Sequence, residues 1–216
     1  MTGNQRIVLA VGLLALAGLS CQLLSGGGAA QLPFGDDFST VRWGTATDAN
    51  SSVEYVDNTL HMTISTRNYF VSSGPNEESY QNIHAEVTVI NNDTDSTTAF
   101  GIICHRQAES ENFYYVAMTP AGQYAIAKAS RGQSDVFLTN EDLWAPSDLI
   151  PQEAASYRVG ADCGNGTIIL YVDGQEIASV SDTSYARGGV ALFAWSGEEA
   201  ASADVSFDDF LITALP

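Results

Sequence analysis

The sequence predicts an all-β protein built as a two-sheet antiparallel sandwich. Three observations carry that expectation. About a dozen short segments alternate apolar and polar residues with a period of two. Signals rich in Gly, Asn and Asp punctuate them at regular spacing. No segment sustains a helical period beyond a turn or two, and a hydrophobic content of 45% is enough for a substantial core.

The elements follow in chain order. The opening "MTGNQRIVLAVGLLALAGLSC" places Arg6 before an apolar and small run from Ile7 to Leu19, then Ser20 and Cys21. A run this short does not span a bilayer, which needs about 20 residues. It has the form of a secretory h-region. With a cysteine directly after it, the segment resembles a bacterial lipoprotein signal, in which that Cys becomes the acylated N-terminus. Residues 1–20 are therefore expected to be a signal peptide, Cys21 the lipid attachment site, and 21–33, with its Gly run, a flexible tether. The alternative is an ordinary signal peptide cut a few residues later.

From Phe34 the chain reads as strand after strand. "VEYVDNTLHMTIS" turns at Asp57-Asn58, and "IHAEVTV" puts Ile83, Ala85, Val87 and Val89 on one side. "AFGIICHR", "NFYYVAMT" and "GQYAIAKAS" follow, separated by polar or Gly-bearing turns. Residues 139–156 are broken by Pro146 and Pro151 and fit a short helix or an irregular loop. "YRVGADC" aligns Tyr157, Val159, Ala161 and Cys163, and Asp173-Gly174 between two apolar runs is a hairpin signal. "GGVALFAW" and "ADVSFDDFLITAL" complete the set. "FGDDFST" near the start echoes "SFDDFLI" near the finish, as adjacent first and last strands would. No repeat or shift in composition divides 34–216, which reads as one domain.

The charge excludes one class of partner. Twenty-six acidic residues against eight basic ones give a formal charge of -18, and Lys128 is the only lysine. Such a surface repels phosphate backbones, so nucleic acid is excluded, and membrane contact is expected through the lipid alone.

Together, "NFYYVAMTPAGQYAIAK", "LYVDGQ" and "FDDF" resemble concanavalin A-like lectin/glucanase domains, nearest to bacterial exported domains of the 3-keto-disaccharide hydrolase-like family. The resemblance spans about 34 to 213. It implies a jelly-roll sandwich with one concave face, often used for carbohydrate. Relatives carry Arg directly after the position of Cys104, where this chain has His105 and then Arg106. By strand alternation that shift moves the cation to the opposite face.

Cys104 and His105 raise the question of a nucleophile with its base, a metal pair or half of a disulfide. Cys104 shares phase with Phe100 and Ile102, and Cys163 with Val159 and Ala161, so both fall on apolar sides. Relatives with the first cysteine also have the second, and export implies an oxidising compartment. The expectation is a Cys104–Cys163 disulfide. His105, as the next residue in a strand, is expected on the other face and unable to serve Cys104 as a base.

No Glu-x-Asp-x-Glu cluster of the sandwich glucanases occurs, nor a Gly-x-Ser-x-Gly elbow, so no catalytic residue is assigned. No cofactor is assigned either. A structural calcium is a candidate at Asp37, Asp208 and Asp209, because hard cations take clustered carboxylates. For sugar, stacking aromatics are needed. Trp144 in the long loop is the first choice, with Tyr114 and His105 beside it; Trp43, Trp195, Tyr69 and Tyr80 are also available. The expected protein is a lipid-anchored, extracytoplasmic, non-catalytic module of a bacterial envelope that binds carbohydrate or an envelope component. The alternatives are a glycoside hydrolase or lyase acting on modified sugars, and a structural or protein-interaction envelope domain.

Overall fold

A computed structural model describes residues 32–216 apart from 76–77, 94, 141–143 and 199–200. The signal segment, Cys21 and the tether to residue 31 lie outside the described residues. The strands are β1 (Phe34–Asp36), β2 (Ala46–Thr47), β3 (Ser51–Val56), β4 (Thr59–Ile64), β5 (Phe70–Ser73), β6 (Ile83–Asn91), β7 (Ala99–Arg106) and β8 (Phe113–Met118). They continue with β9 (Gln123–Ala129), β10 (Val136–Phe137), β11 (Ala145–Pro146), β12 (Ser156–Gly164), β13 (Thr167–Val172), β14 (Gln175–Ser181), β15 (Gly189–Trp195) and β16 (Ala203–Ala214).

Two antiparallel sheets result, as the sequence predicts. The nine-stranded sheet runs β14-β13-β12-β6-β16-β4-β3-β2, with β1 also on β16; the seven-stranded sheet runs β10-β9-β8-β7-β15-β5, with β11 on β9. Tight turns set the registers. Asp57-Asn58, Asn165-Gly166 and Asp173-Gly174 all have positive φ at both positions, the two-residue geometry whose twist matches the flanking strands. The echoing ends do meet: β1 pairs the second half of β16, with Asp36 opposite Phe210, while β4 pairs its first half. No helix forms among the described part of 139–156; Ala145–Pro146 instead adds a short strand to β9.

Between the sheets, the alternating sets close one core. Ile83, Ala85, Val87 and Val89 of β6 and Tyr157, Val159 and Ala161 of β12 are buried against Phe100, Ile102, Val116, Ile126 and Leu192 of the opposing sheet. Cys104 of β7 and Cys163 of β12 are bridged across it, their Cα atoms 6.3 Å apart. The expected disulfide is present, and it staples one sheet to the other.

One strand breaks its own alternation. Arg106 pairs Gly189 and Ile103 pairs Ala191, so Cys104 and His105 together oppose the single residue Val190. This is a β-bulge, and His105 sits in it with φ of 51°. The backbone of β15's approach lies very close: a Cβ on Gly188 would come within 2.3 Å of the His105 carbonyl carbon, so only glycine fits there.

Candidate functional site

The strands of the seven-stranded sheet are apolar in both phases. β8 illustrates it: Tyr114, Val116 and Met118 enter the inter-sheet core, while Tyr115 and Ala117 belong to a second apolar cluster on the outer face. On that face the strands alternate small and aromatic residues. Ala117 and Ala129 give a low floor beside Phe113 and Tyr115 of β8, while Phe193 and Trp195 rise from β15, Phe70 from β5 and Phe137 from β10. Trp144, just before β11, closes one side. The result is a groove of about 860 Å³, within the usual range for ligand pockets.

The rings form two connected rows. Phe70 stacks on Phe193 with centroids 5.1 Å apart and lies 6.3 Å from Phe113; Tyr115 meets Phe193 edge-on at 5.7 Å. Trp144 and Trp195 stand parallel, 5° from coplanar orientation with centroids 6.2 Å apart, and Phe137 abuts Trp144. Trp195 is fixed by its indole N–H, which donates to Asn68 Oδ1 at 3.2 Å, and Asn140 donates to the Trp144 carbonyl at 3.0 Å. Phe193 and Tyr115 are buried, whereas both tryptophans are half-buried and Phe70 is 41% exposed. Faces of rings are therefore left open to solvent along a preformed slot.

Polar groups rim it. Asn68, Gln133, Ser134, Asp135 and Glu198 line the groove, and Tyr115 Oη donates to Asp135 Oδ2 at 3.0 Å. Burial raises the Asp135 carboxyl above its ordinary value, with the Tyr115 hydrogen bond offsetting part of the rise. The same burial, with the Asp135 charge beside it, pushes the Tyr115 hydroxyl up.

The three expected ligand-binding residues are not together. Trp144 lies in the groove. Tyr114 is fully buried on the opposite side of β8; the alternation of "FYYVAM" puts Tyr115, not Tyr114, on the open face. His105 is 3% exposed, because the bulge turns it inward beside Cys104 rather than to the far side. The expectation that Cys104 and His105 face opposite ways fails for that reason: strand alternation does not survive an inserted residue. The His105 ring nitrogens each lie 2.9 Å from a main-chain carbonyl, those of Tyr185 and Gln81, so neither is free for a ligand.

His105 and Tyr114 instead line a small cavity of about 150 Å³ at one end of the core. There Tyr114 Oη donates to Asp182, Lys128 Nζ donates to Asp182 Oδ2 at 2.9 Å, and the Tyr185 and Ser184 amides complete the set. Burial, assisted by Asp182, pushes the Tyr114 hydroxyl up to about 12. For Asp182, burial acts upward, but the hydrogen bonds from Ser184, Tyr114 and Lys128 outweigh it and hold the carboxyl well below the usual range. The network is closed on itself.

The candidate calcium residues occupy turns and a bulge. Asp37 accepts from the Ser39 amide and hydroxyl, which lower its pKa. Asp208 accepts from the Asp209 amide at 2.7 Å, and Asp209, with φ of 49°, is the bulged residue of β16. Arg42 and Arg158 share the broad cleft with Asp37 and Asp209. Among the described residues no three His, Cys, Asp or Glu side chains are grouped so as to hold a metal ion.

No protein-family model and no curated protein sequence matches the chain. Solved structures do match in fold. A carbohydrate binding module, CBM66, from Bacillus subtilis superposes with a TM-score of 0.62 at 12% identity, covering 80% of this chain and 96% of its own. A protein of unknown function with a galectin-like fold, also from Bacillus subtilis, gives 0.59 at 11% identity over 84% and 94%. The Bacillus licheniformis beta-glucanase gives 0.57 at 11% identity over 85% and 98%. At these identities the likeness establishes the fold, which is a concanavalin A- and galectin-like jelly-roll β-sandwich.

Proposed function

We propose that the protein is a carbohydrate-binding β-sandwich whose site is the aromatic groove on the outer face of the seven-stranded sheet. The observation that carries the reading is the slot itself, with open ring faces of Trp144 and Trp195 above a floor of small residues and polar side chains at the rim. Pyranose rings present an apolar face for stacking and hydroxyls at their edges, which is the complement of this arrangement. Carbohydrate-binding modules and glucanases among its structural neighbours support the same reading.

The module is exported and held at the extracytoplasmic side of a bacterial envelope by a lipid on Cys21. The core disulfide supports an oxidising compartment. Binding without turnover is the leading form, since the acidic strand motif of the sandwich glucanases is absent from the sequence. A second reading, hydrolysis or elimination on modified sugars as the resemblance to the 3-keto-disaccharide hydrolase-like family implies, draws on one observation: Asp135 and Glu198 both line the groove.

The test is a glycan-array screen of the full chain in detergent, with and without calcium, followed by affinity measurement on the best ligand. Saturable binding that Trp144→Ala weakens by about tenfold or more is expected, since one stacked ring accounts for roughly 1.5 kcal/mol. Absence of binding across a broad array overturns the reading. Release of reducing ends from a bound glycan, abolished by Glu198→Gln or Asp135→Asn, moves the assignment to the enzymatic alternative.

A further inference from the structure

The groove carries a charge pattern that a site for neutral sugar does not require. None of its described lining residues is Lys, Arg or His, while two, Asp135 and Glu198, are acidic. Three carboxylates elsewhere are paired with a Lys or Arg. Asp182 has Lys128, Glu86 has Arg158 and Glu111 has Arg131. Neither groove carboxylate has an ion-pair partner among the described residues, and Asp135 meets only the hydroxyl of Tyr115.

A partly desolvated carboxylate without a cation is unfavourable, and a ligand bringing positive charge relieves it. Burial's upward push on the Asp135 pKa is the same imbalance seen from the proton's side. The seven rings of the groove act in the same direction. Aromatic faces carry negative quadrupole potential and attract ammonium groups, by about 0.5–1 kcal/mol when exposed and more when desolvated. The overall charge of -18 adds long-range attraction for a cation and repulsion of an anion.

We infer that the groove selects glycans bearing free, protonated amino groups, of the deacetylated hexosamine type, over their N-acetylated and neutral counterparts, and excludes acidic glycans. Pyranose rings stack on the exposed faces of Trp144 and Trp195, and ammonium groups along the glycan face the Asp135 and Glu198 carboxylates and the ring faces beside them. This rests on the sugar-binding reading of the same groove and names the substrate class within it.

The experiment is calorimetric titration of the full chain in detergent at pH 6 with four probes: a glucosamine hexamer, its N-acetylated form, a glucose hexamer and an oligogalacturonate. The glucosamine hexamer is expected to bind at least tenfold more tightly than the N-acetylated one, with no measurable binding of the oligogalacturonate. The ratio between the two hexosamine probes is expected to shrink to below about threefold in Asp135→Asn/Glu198→Gln and in high salt. Glu198→Gln alone, at an exposed rim position, should shrink it part of the way and guards against a folding defect in the double variant. Equal affinity for free and acetylated hexamers overturns the inference while leaving carbohydrate binding intact. A ratio that survives both variants and salt overturns it as well, and binding of none of the probes overturns it together with the reading beneath it.

Discussion

The outer faces of the two sheets are solved in opposite ways by the same chain. On the nine-stranded sheet the outward phase is polar, and several of its side chains pair with one another. His84 Nδ1 bonds Asp162 Oδ1 at 2.6 Å, Tyr171 Oη donates to Asp162 Oδ2 at 2.9 Å, and His61 Nε2 bonds Asp204 Oδ1 at 2.7 Å. Arg158 reaches Glu86 at 2.9 Å, and that guanidinium holds the Glu86 carboxyl below its ordinary value. On the seven-stranded sheet the outward phase is aromatic, and the carboxylates at its rim have no cationic partner among the described residues. A face whose polar groups satisfy one another contributes to the fold and offers little to a ligand. One that leaves ring faces and unpaired carboxylates in a slot is arranged for something outside the chain. Between them, the core and its disulfide hold the two faces in place.

The largest expected effect tests that join. Replacing both Cys104 and Cys163 by Ser removes a cross-link closing a sequence separation of 59 residues. In the chain-entropy picture this costs roughly 4 kcal/mol. Equilibrium denaturation in guanidinium should show a loss of that order against the oxidised parent. A loss under about 1 kcal/mol would mean that core packing alone joins the sheets.

A smaller effect separates the faces directly. Arg158→Ala removes the guanidinium from Glu86, leaving it only His84, and removes the bonds to Thr88 and the Asp209 carbonyl. A stability loss of about 1–2 kcal/mol is expected, as for hydrogen bonds to a charged group. Glycan affinity should not change, because Arg158 lies on the far sheet. A drop in affinity at constant stability would place ligand contacts on the nine-stranded face and dissolve the contrast.

The smallest effect is one of sign. Asp182, with its depressed pKa, contributes stability that is present above its ordinary value of 3.8 and lost as pH falls through the lower folded value. Asp135, with its raised pKa, does the reverse: its favourable contribution belongs to the protonated form and is lost as pH rises through the raised value. Denaturation midpoints against pH should therefore show Asp182→Asn most deficient at neutral pH and recovering toward the parent in acid. Asp135→Asn should be no worse than the parent at pH 7, any deficit appearing only in acid. Parallel profiles for the two variants would remove the distinction between a matched and an unmatched carboxylate.

How far the sequence reaches can be followed residue by residue. In "IHAEVTV" and "YRVGADC" one phase is apolar and the other polar, so the inward side is decided by solvent alone, and all of Ile83, Val87, Tyr157 and Cys163 are buried as expected. Asp57-Asn58 and Asp173-Gly174 tolerate positive φ, and hairpins form there. In "FYYVAM" and "ALFAW" both phases are apolar, and hydrophobicity cannot say which one meets the partner sheet. That ambiguity is why Tyr115, Phe193, Phe70 and Phe113 escape a sequence reading while Tyr114 attracts one. The usable signal is the mixture of Ala with aromatics in one phase, which marks a low floor with walls rather than a filled core. Trp144 is legible because it sits in a proline-broken loop that no strand pattern buries.

The sequence by itself determined the fold class, the hairpins and the inward phase of the one-sided strands. Those properties follow from local backbone preference and period, which are read locally along the chain. Tertiary structure alone decided the inward turn of His105, the closure of Tyr114, Asp182 and Lys128 on one another, and the gathering of seven rings from β5, β8, β10, β15 and the loop before β11. An inserted residue in one strand and the choice between two apolar phases depend on what the neighbouring strand and the opposing sheet present. The alternation of apolar and polar residues encodes neither.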